Sequence, residues 1–314
     1  MIHQLDFNGI DKVEKAIKRL QLYEPPEGYY LCFSGGKDSV VIKALADMAG
    51  IKYDAHYSIS SVDPPELVRF IKDEHPDVIF EHPRDENGNV VTMWNLIPTK
   101  TMPPTRIVRY CCAALKETGG KGRLKITGVR WDESSRRKRS HSEVTVMDKK
   151  APKFFKEFDD EDYFVTPQGG VVLPLDKVEN RRMVEACYKN HSTTINPIVD
   201  WTTSEVWEFI IENELPYCSL YDEGFARLGC IGCPMASKKM REYEFERWPK
   251  YKKLYLLAFE KMIELHGGAL RKYNDPEQIM RGYMSEHFAE EPGGGGKPFR
   301  DTPDEVMEWW IDLK

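Results

Sequence analysis

The sequence has no apolar run that approaches the roughly 20 residues needed for a membrane-spanning helix. Its start, MIHQLDFNGIDKVEKAIKRL, is charged and amphipathic, unlike the apolar core of a secretory signal peptide. The net charge of the 314 residues is −6, so the chain as a whole is not a polycation that coats nucleic acid. These absences predict a cytoplasmic protein without a membrane segment. Its length is enough to bury a substantial core.

Two common nucleotide-binding motifs are also missing. The chain contains neither the Walker loop, GxxxxGK followed by Ser or Thr, nor the dinucleotide fingerprint GxGxxG. A different glycine turn lies within YYLCFSGGKDSVVIKAL, residues 29–45. The run before the glycines is apolar and aromatic, as in a strand buried on both faces, and the apolar residues after them recur at helical spacing. This stretch predicts a strand, a tight turn and a helix with Asp38 or Ser39 as its N-cap.

Such a turn favours an anion. The first N–H groups of a helix lack backbone partners, and the helix dipole places about half a positive charge near them. Gly35 and Gly36 allow the backbone to approach a bulky ligand, and Lys37 adds a mobile positive charge. The turn is therefore predicted to hold a phosphate.

Strand-like and helix-like segments alternate through the N-terminal half. IKYDAHYSI, DVIFEHP and LKITGV read as further strands, PPELVRFIKDEHP as a helix, and VVLPLDKVEN as a candidate strand in an irregular region. The alternation predicts an α/β fold with a doubly wound, Rossmann-like, mostly parallel sheet, whose ligands bind beyond the carboxyl ends of the strands. Because SGGKDS, SVDPPE and GVRWDESSRR follow such strands, they are expected to form one site.

The C-terminal part is predicted to be helical. TTSEVWEFIIENEL opens with a capping box, and REYEFERWPKYKKLYLLAFEKMIEL is amphipathic with an aromatic stripe typical of a core. Residues 290–298 are predicted to be a flexible linker, followed by a short helix that docks through Trp309 and Trp310. The predicted divisions are an α/β domain over residues 1–225 and a helical region with the CxxC motif over residues 226–314.

Seven cysteines in a chain without a secretion signal favour metal or thiol chemistry over a disulfide framework. Cys111 and Cys112 are adjacent, and Cys230 and Cys233 form a CxxC motif. Four thiolates suit tetrahedral zinc or an iron–sulfur cluster. Adjacent side chains cannot easily approach one small ion together, whereas the iron corners of a [4Fe–4S] cube lie further apart. The residues alone leave zinc, a cluster and a coincidental cysteine pair open.

Together these segments resemble the phosphoadenylyl-sulfate reductase family of the adenine nucleotide alpha-hydrolase superfamily, in its iron–sulfur form. The matching segments occur in family order: SGGKDS, SVDPPE, CCAALK, GVRWDESSRR, NPIVDWTTSEVWEFI and LPYCSLYDEGFARLGCIGCP. The resemblance implies a [4Fe–4S] cluster on Cys111, Cys112, Cys230 and Cys233. It also implies that Lys37, Asp38 and Arg130 take part in catalysis. The nucleotide-binding residues that it implies are Ser34, Gly35, Gly36, Lys37, Asp38, Ser39, Asp63, Gly128, Arg130, Glu133, Ser134 and Arg137.

One feature departs from the reductases. Those enzymes resemble one another in a C-terminal cysteine, within a Glu-Cys-Gly motif, that attacks the sulfur, whereas the last cysteine here is Cys233. Cys187 and Cys218 are candidate replacements, but neither lies in a matching motif. Without a mobile thiol, reduction of an adenylyl-sulfate lacks its first step.

The resemblance extends to ATP pyrophosphatases that insert sulfur, such as the DndC-like proteins of DNA phosphorothioation and the cluster-dependent tRNA thiolases. It implies that ATP, with Mg²⁺ near Asp38, adenylates an oxygen of the acceptor before a sulfur nucleophile displaces AMP. A cysteine desulfurase is then the implied sulfur donor, and the basic run Arg136 to Arg139 would guide a nucleic-acid acceptor. The alternatives are a reductase that converts a phosphoadenylyl- or adenylyl-sulfate to sulfite, and a non-catalytic nucleotide-binding regulator.

Overall fold

A computed structural model describes residues 11–148, 150–156, 163–167, 169–173, 178–270 and 302–312. Short 3-10 turns occur at Ile97–Thr99, Trp131–Glu133 and Ser219–Tyr221. The helices and strands of the described residues are α1 (Lys12–Leu22), β1 (Tyr29–Cys32), α2 (Lys37–Ala49), β2 (Tyr53–Ser58), α3 (Pro65–Glu74), β3 (Ile79–Glu81), α4 (Met93–Leu96), α5 (Tyr110–Leu115), β4 (Lys125–Ile126), α6 (Ser135–Ser140), β5 (Val144–Val146), α7 (Ala151–Phe155), β6 (Phe164–Val165), β7 (Val171–Leu173), α8 (Val178–Cys187), β8 (Thr193–Ile195), α9 (Thr203–Glu212), α10 (Lys238–Arg247), α11 (Pro249–Leu270) and α12 (Pro303–Asp312).

The strands form one eight-stranded sheet in the order β3-β2-β1-β4-β8-β5-β7-β6. Strand β1 pairs in parallel with β2 and β4, and β4 pairs in parallel with β8. Antiparallel pairing of β5, β6 and β7 extends the sheet at the β8 side. The predicted α/β fold with a doubly wound, mostly parallel sheet is confirmed.

Strand β1 lies at the centre of the core, as its apolar sequence predicts. Tyr29 and Leu31 are fully buried, and Tyr30 on the opposite face is almost so. The hydroxyl of Tyr29 donates to the carbonyl of Leu20 at 2.8 Å, which satisfies its one polar group inside the core. The position of the turn that follows β1 is therefore fixed by a strand with little freedom to move.

The chain divides into two compact units that interleave along the sequence. The first comprises residues 1–57, 65–81 and 120–228, and it holds the sheet apart from Ser58 at the end of β2. The second comprises residues 58–64, 82–119 and 229–314, and it includes α4, α5 and α10 to α12. The predicted domain boundary between residues 225 and 226 stays a prediction.

The helical predictions for the C-terminal part hold with one correction. The capping box of α9 forms between Thr202 and Glu205. The long amphipathic stretch is two helices, because Pro249 has no N–H to continue α10 and instead opens α11. In the candidate strand VVLPLDKVEN, Val171–Leu173 is a strand, and α8 begins at Val178.

The predicted terminal helix is α12, and its Trp310 is fully buried. The aromatic stripe of α11 is core as predicted, with Tyr255 and Phe259 almost fully buried. The predicted linker at residues 290–298 and the side chain of Trp309 lie outside the described residues. Among the described helices, none combines the length and apolarity needed to cross a membrane.

Candidate functional site

The SGGKDS turn joins β1 to α2, as predicted. Gly35 adopts φ +72°, and a Cβ there would lie 2.7 Å from the Cδ1 atom of Leu67 and 2.8 Å from Ile71, so this position requires glycine. The predicted N-cap was wrong: α2 begins at Lys37, Gly36 occupies the N-cap position, and no side chain caps the helix. The N-cap residue itself therefore leaves the first N–H groups of α2 to other acceptors, such as a hydroxyl or an anion.

Hydroxyl groups occupy the first N–H groups of this turn. The N–H of Lys37 donates to the Tyr221 hydroxyl at 2.9 Å, and that of Gly36 donates weakly to Ser34 Oγ at 3.4 Å. Ser39 Oγ donates to the carbonyl of Gly36 at 2.7 Å, so the two predicted serines hold the turn together. Tyr221 lies in the matched segment LPYCSLYDEGFARLGCIGCP, but it was not predicted as a site residue, because it is 184 positions from Lys37 and no sequence pattern links the two.

Lys37 and Arg130 meet on the carboxylate of Asp38. Lys37 Nζ lies 3.0 Å from Oδ2, and Arg130 Nε donates to Oδ1 at 2.7 Å. Arg130 is fully buried and also donates to the carbonyl of Trp201 at 3.2 Å. Both oxygens of Asp38 thus serve cations, and a Mg²⁺ ion bound at this carboxylate would share it with them.

The residues after β4 complete this cation cluster. A Cβ on Gly128 would lie 3.0 Å from Asp38 Cβ, so the predicted glycine lets β4 approach the first turn of α2. Glu133 accepts from the guanidinium of Arg137 and from the N–H of Arg130 at 3.2 Å. Ser134 Oγ accepts from the N–H of Arg137 at 3.2 Å and caps α6.

Arg137 lies in a positive neighbourhood. Burial lowers its pKa, and the nearby cations Arg227 and Arg130 lower it further, against the opposing effect of Glu133 and Asp38. Lys37 adds a further positive charge beside Asp38. Because Lys37, Arg130, Arg137 and Arg227 outnumber the carboxylates Asp38, Asp132 and Glu133 around them, the group is suited to an anionic ligand.

Asp63, the remaining predicted nucleotide residue, belongs to the second unit. Its carboxylate accepts from the N–H of Ser60 at 2.8 Å and from Ser60 Oγ at 2.7 Å, and it thereby shapes the SVDPPE turn. The pKa of Lys116 is raised mainly by Cys230, and Asp63 contributes to the rise. The structure thus groups Asp63 with the cysteine-bearing segments, and its contact with a nucleotide stays a prediction.

The four predicted cysteine ligands all lie in the second unit and within electrostatic reach of one another. A hydrogen bond from Cys111 lowers the pKa of the Cys112 thiol to about 5, and Arg109 Nη2, 3.3 Å from the same sulfur, assists. The same hydrogen bond, with burial and the charges of Cys112, Cys230 and Cys233, raises the pKa of Cys111. Thiolate character is therefore concentrated on Cys112.

The donor types suit an iron–sulfur cluster, because its ligands are thiolates and the cations Lys116 and Arg109 interact with these cysteines. Among the described residues, no group of three or more Cys, His, Asp or Glu side chains is arranged to hold a metal ion. The cluster on these four cysteines stays a prediction.

The CxxC turn is anchored at its two middle residues. The N–H of Ile231 donates to the carbonyl of Val62 at 2.8 Å, and the Tyr255 hydroxyl donates to the carbonyl of Ile231 at 3.0 Å. The N–H of Gly232 donates to Glu244 Oε2 at 2.7 Å. Burial raises the pKa of Glu244 to about 7.

The two candidate replacements for a mobile thiol are both buried. Cys187 and Cys218 are at most 1% exposed. Burial raises the pKa of the Cys187 thiol to about 11, and it also raises that of Cys218. Neither side chain has the exposed thiolate that an attack on a sulfur atom needs.

The chain is similar to several known proteins. A family model described as the phosphoadenosine phosphosulfate reductase domain matches residues 28–236. An uncharacterised protein of Methanocaldococcus jannaschii is 26% identical over 287 residues, which cover 87% of this chain and 57% of that protein. The adenosine 5'-phosphosulfate reductase of Salinibacter ruber is 40% identical over 55 residues, which cover 17% of this chain and 22% of that protein.

Among solved structures, a phosphate complex of phosphoadenylyl-sulfate reductase from Candida auris aligns with 72% of this chain and 96% of its own. The TM-score is 0.40 and the sequence identity is 15%. The chain spans less than two thirds of the length of the two curated relatives named above.

Proposed function

Because this chain belongs to the phosphoadenosine phosphosulfate reductase domain family, whose members are nucleotide-using enzymes, we propose that it binds ATP at the SGGKDS turn. The reaction proposed is cleavage between the α and β phosphates, which activates a substrate by adenylation for sulfur transfer. The observation that carries the proposal is the start of α2, where the N-cap Gly36 has no side chain and where Lys37 and Arg130 converge on Asp38.

The proposed reaction needs charge stabilisation more than covalent help from the protein. An oxygen of the acceptor attacks the α-phosphorus, the bond to the β-phosphate oxygen breaks, and pyrophosphate leaves with the electron pair. A sulfur nucleophile then displaces AMP from the activated acceptor. Lys37 would neutralise charge on the phosphates, while Arg130, held by Asp38 and Trp201, would keep the positive centre fixed before the ligand arrives. Mg²⁺ would accompany the triphosphate.

The state of two cysteines supports sulfur transfer over reduction. Cys187 and Cys218, the candidate replacements for a mobile thiol, are buried thiols with raised pKa values. Cys111, Cys112, Cys230 and Cys233 are proposed to hold a [4Fe–4S] cluster, which would supply electron-transfer or sulfur-binding chemistry when bound. Lys116 and Arg109 would offset the negative charge of the four thiolates.

The proposed partners follow from the same chemistry. A cysteine desulfurase would supply sulfur, and the acceptor would be a nucleic acid such as DNA or tRNA. On α6, Arg136, Lys138 and Arg139 are exposed, whereas Arg137 turns toward Glu133. Exposed cations beside a phosphate-binding turn can attract a polyanionic acceptor, and such binding should weaken steeply with salt.

A second candidate is a reductase that releases sulfite from an adenylyl-sulfate. It is favoured by the similarity to the Salinibacter ruber enzyme over 55 residues. A non-catalytic nucleotide-binding regulator is the third alternative, and it would bind the same ligands without turnover.

One experiment separates the three. The protein, purified without oxygen, is incubated with ATP, and separately with each adenylyl-sulfate plus thioredoxin, while pyrophosphate and sulfite are measured. We expect slow release of AMP and pyrophosphate from ATP, no sulfite, and loss of both products in Lys37→Ala. Sulfite formation would make the protein a reductase, and nucleotide binding without any product would make it a regulator.

A further inference from the structure

The hydroxyl of Tyr221 lies at the start of α2. It accepts the N–H of Lys37 at 2.9 Å, and a Cβ placed on Gly36 would lie 3.4 Å from it. Among the described residues, no other side chain from outside the SGGKDS turn forms a hydrogen bond with the N–H of Gly36 or Lys37. A hydroxyl has one hydrogen of its own, and within the described part of the chain the Tyr221 hydroxyl has no acceptor for that hydrogen.

The position of the Tyr221 ring is fixed by its surroundings. The ring of Trp207 packs edge-on against it, with 5.0 Å between the centroids and an interplanar angle of 88°. The N–H of Tyr221 donates to the carbonyl of Cys218 at 3.1 Å, within the 3-10 turn Ser219–Tyr221. Burial raises the pKa of Tyr221, so the hydroxyl keeps its hydrogen at any pH near neutral.

Charged groups lie near the Tyr221 hydroxyl. Tyr221 is within electrostatic reach of Arg227, six positions further along the chain, and of Asp38, which holds Lys37 and Arg130. A donor whose oxygen already accepts from an N–H is polarised and donates more strongly. A phosphate oxygen drawn in by these cations is the acceptor that such a donor lacks.

We propose that Tyr221 is a phosphate-binding residue, whose hydroxyl links the N-terminus of α2 to the ligand. Its oxygen accepts from the N–H of Lys37, and its hydrogen is donated to a phosphate oxygen of the nucleotide. This inference rests on the proposed nucleotide site at the SGGKDS turn. It adds a ligand contact from the segment after α9, which shares no motif with the turn.

The test uses Tyr221→Phe, which keeps the ring against Trp207 and removes only the hydroxyl. Tyr217→Phe is the matched control, because its ring also packs against Trp207, at 5.3 Å, while its hydroxyl donates to Asp222 and not to the turn. Lys37→Ala tests the site itself. Affinities for ATP and for inorganic pyrophosphate are measured by calorimetry, together with the thermal midpoint of each variant.

We expect Tyr221→Phe to weaken the binding of ATP and pyrophosphate by about ten- to a hundred-fold, the effect of losing one hydrogen bond to a charged group. Tyr217→Phe should change these affinities by less than about two-fold, the scale of a surface change that touches no ligand. Unchanged or tighter binding in Tyr221→Phe, with weakened binding in Lys37→Ala, would overturn the inference and keep the site. Unchanged binding in Lys37→Ala as well would overturn both.

Discussion

The carboxylate of Asp38 lies between two cations, with Oδ2 3.0 Å from Lys37 Nζ and Oδ1 2.7 Å from Arg130 Nε. Lys37 and Arg130 are buried, and Arg130 is almost completely so. A buried cation that loses its partner is costly, because it is neither solvated by water nor neutralised. Asp38 is therefore needed both for stability and for the placement of positive charge beside the proposed phosphates.

Asp38→Asn should lower the free energy of unfolding by up to about 3 kcal/mol, because Arg130 loses its charged partner. It should also weaken ATP binding less than Lys37→Ala does, since both cations remain. Urea unfolding and calorimetry measure the two effects. The control is Glu185→Gln, which breaks the exposed pair with Arg181 and should cost less than about 0.5 kcal/mol. Equal costs in the two variants would contradict the buried-pair argument.

The two glycines of the turn should respond differently to alanine. Gly35 has φ +72° and no room for a Cβ beside Leu67 and Ile71, whereas Gly36 has φ −79° and a nearest neighbour at 3.4 Å. Gly35→Ala should cost about 2 kcal/mol or more through backbone strain and crowding. Gly36→Ala should cost less than half of that, as measured by urea unfolding. A larger cost at Gly36 would show that the turn is built differently.

Sequence reasoning worked best where the pattern is local. The buried run Tyr29 to Phe33 and the helical spacing after Gly36 predicted a strand, a turn and a helix, and the structure has all three. The N-cap was misplaced, because Asp38 and Ser39 have the right side chains, while the helix boundary is set by the extended backbone of Gly36. Propensity alone does not give backbone angles.

The contacts that complete the site join distant parts of the chain. Arg130 and Asp38 are 92 positions apart, and Tyr221 and Lys37 are 184 apart. The resemblance to a family pointed to Arg130 because it stands in a matched motif, but no pattern in the sequence shows which carboxylate it pairs with. Tyr221 lies in a matched segment as well, yet its hydroxyl acquires a role only once the sheet brings the two segments together.

The cysteine prediction can be tested by colour and metal content. Protein purified without oxygen should be brown and carry about four irons per chain, as expected for a cluster on four cysteines. Cys230→Ser should bleach it, because one of the four ligands is lost. Cys187→Ser is the control, since that thiol is buried beside Thr193 and is not a proposed ligand. A colourless protein with one zinc ion would contradict the cluster.

Glu244 should make stability depend on pH. Burial raises its pKa from 4.5 to about 7, so the folded state holds this proton more tightly than the unfolded state does. The stabilising contribution is fully present below pH 4.5 and is lost as the pH rises to 7 and above. Glu244→Gln keeps an acceptor for the N–H of Gly232 but cannot ionise. The substitution should therefore raise the free energy of unfolding at pH 8 by about 2–3 kcal/mol and have little effect at pH 4.5.

The measurement is urea unfolding of the two proteins at pH 4.5, 6 and 8. Glu242→Gln serves as the control, because this residue lies on the same helix and is exposed, with a 3.9 Å contact to Lys238. Its effect should stay below about 0.5 kcal/mol and vary little with pH. If Glu244→Gln destabilises the protein at pH 8, the ionised carboxylate must be better compensated than its burial indicates. The bond from Gly232 and the charge of Arg241, which both lower the pKa, would then outweigh desolvation.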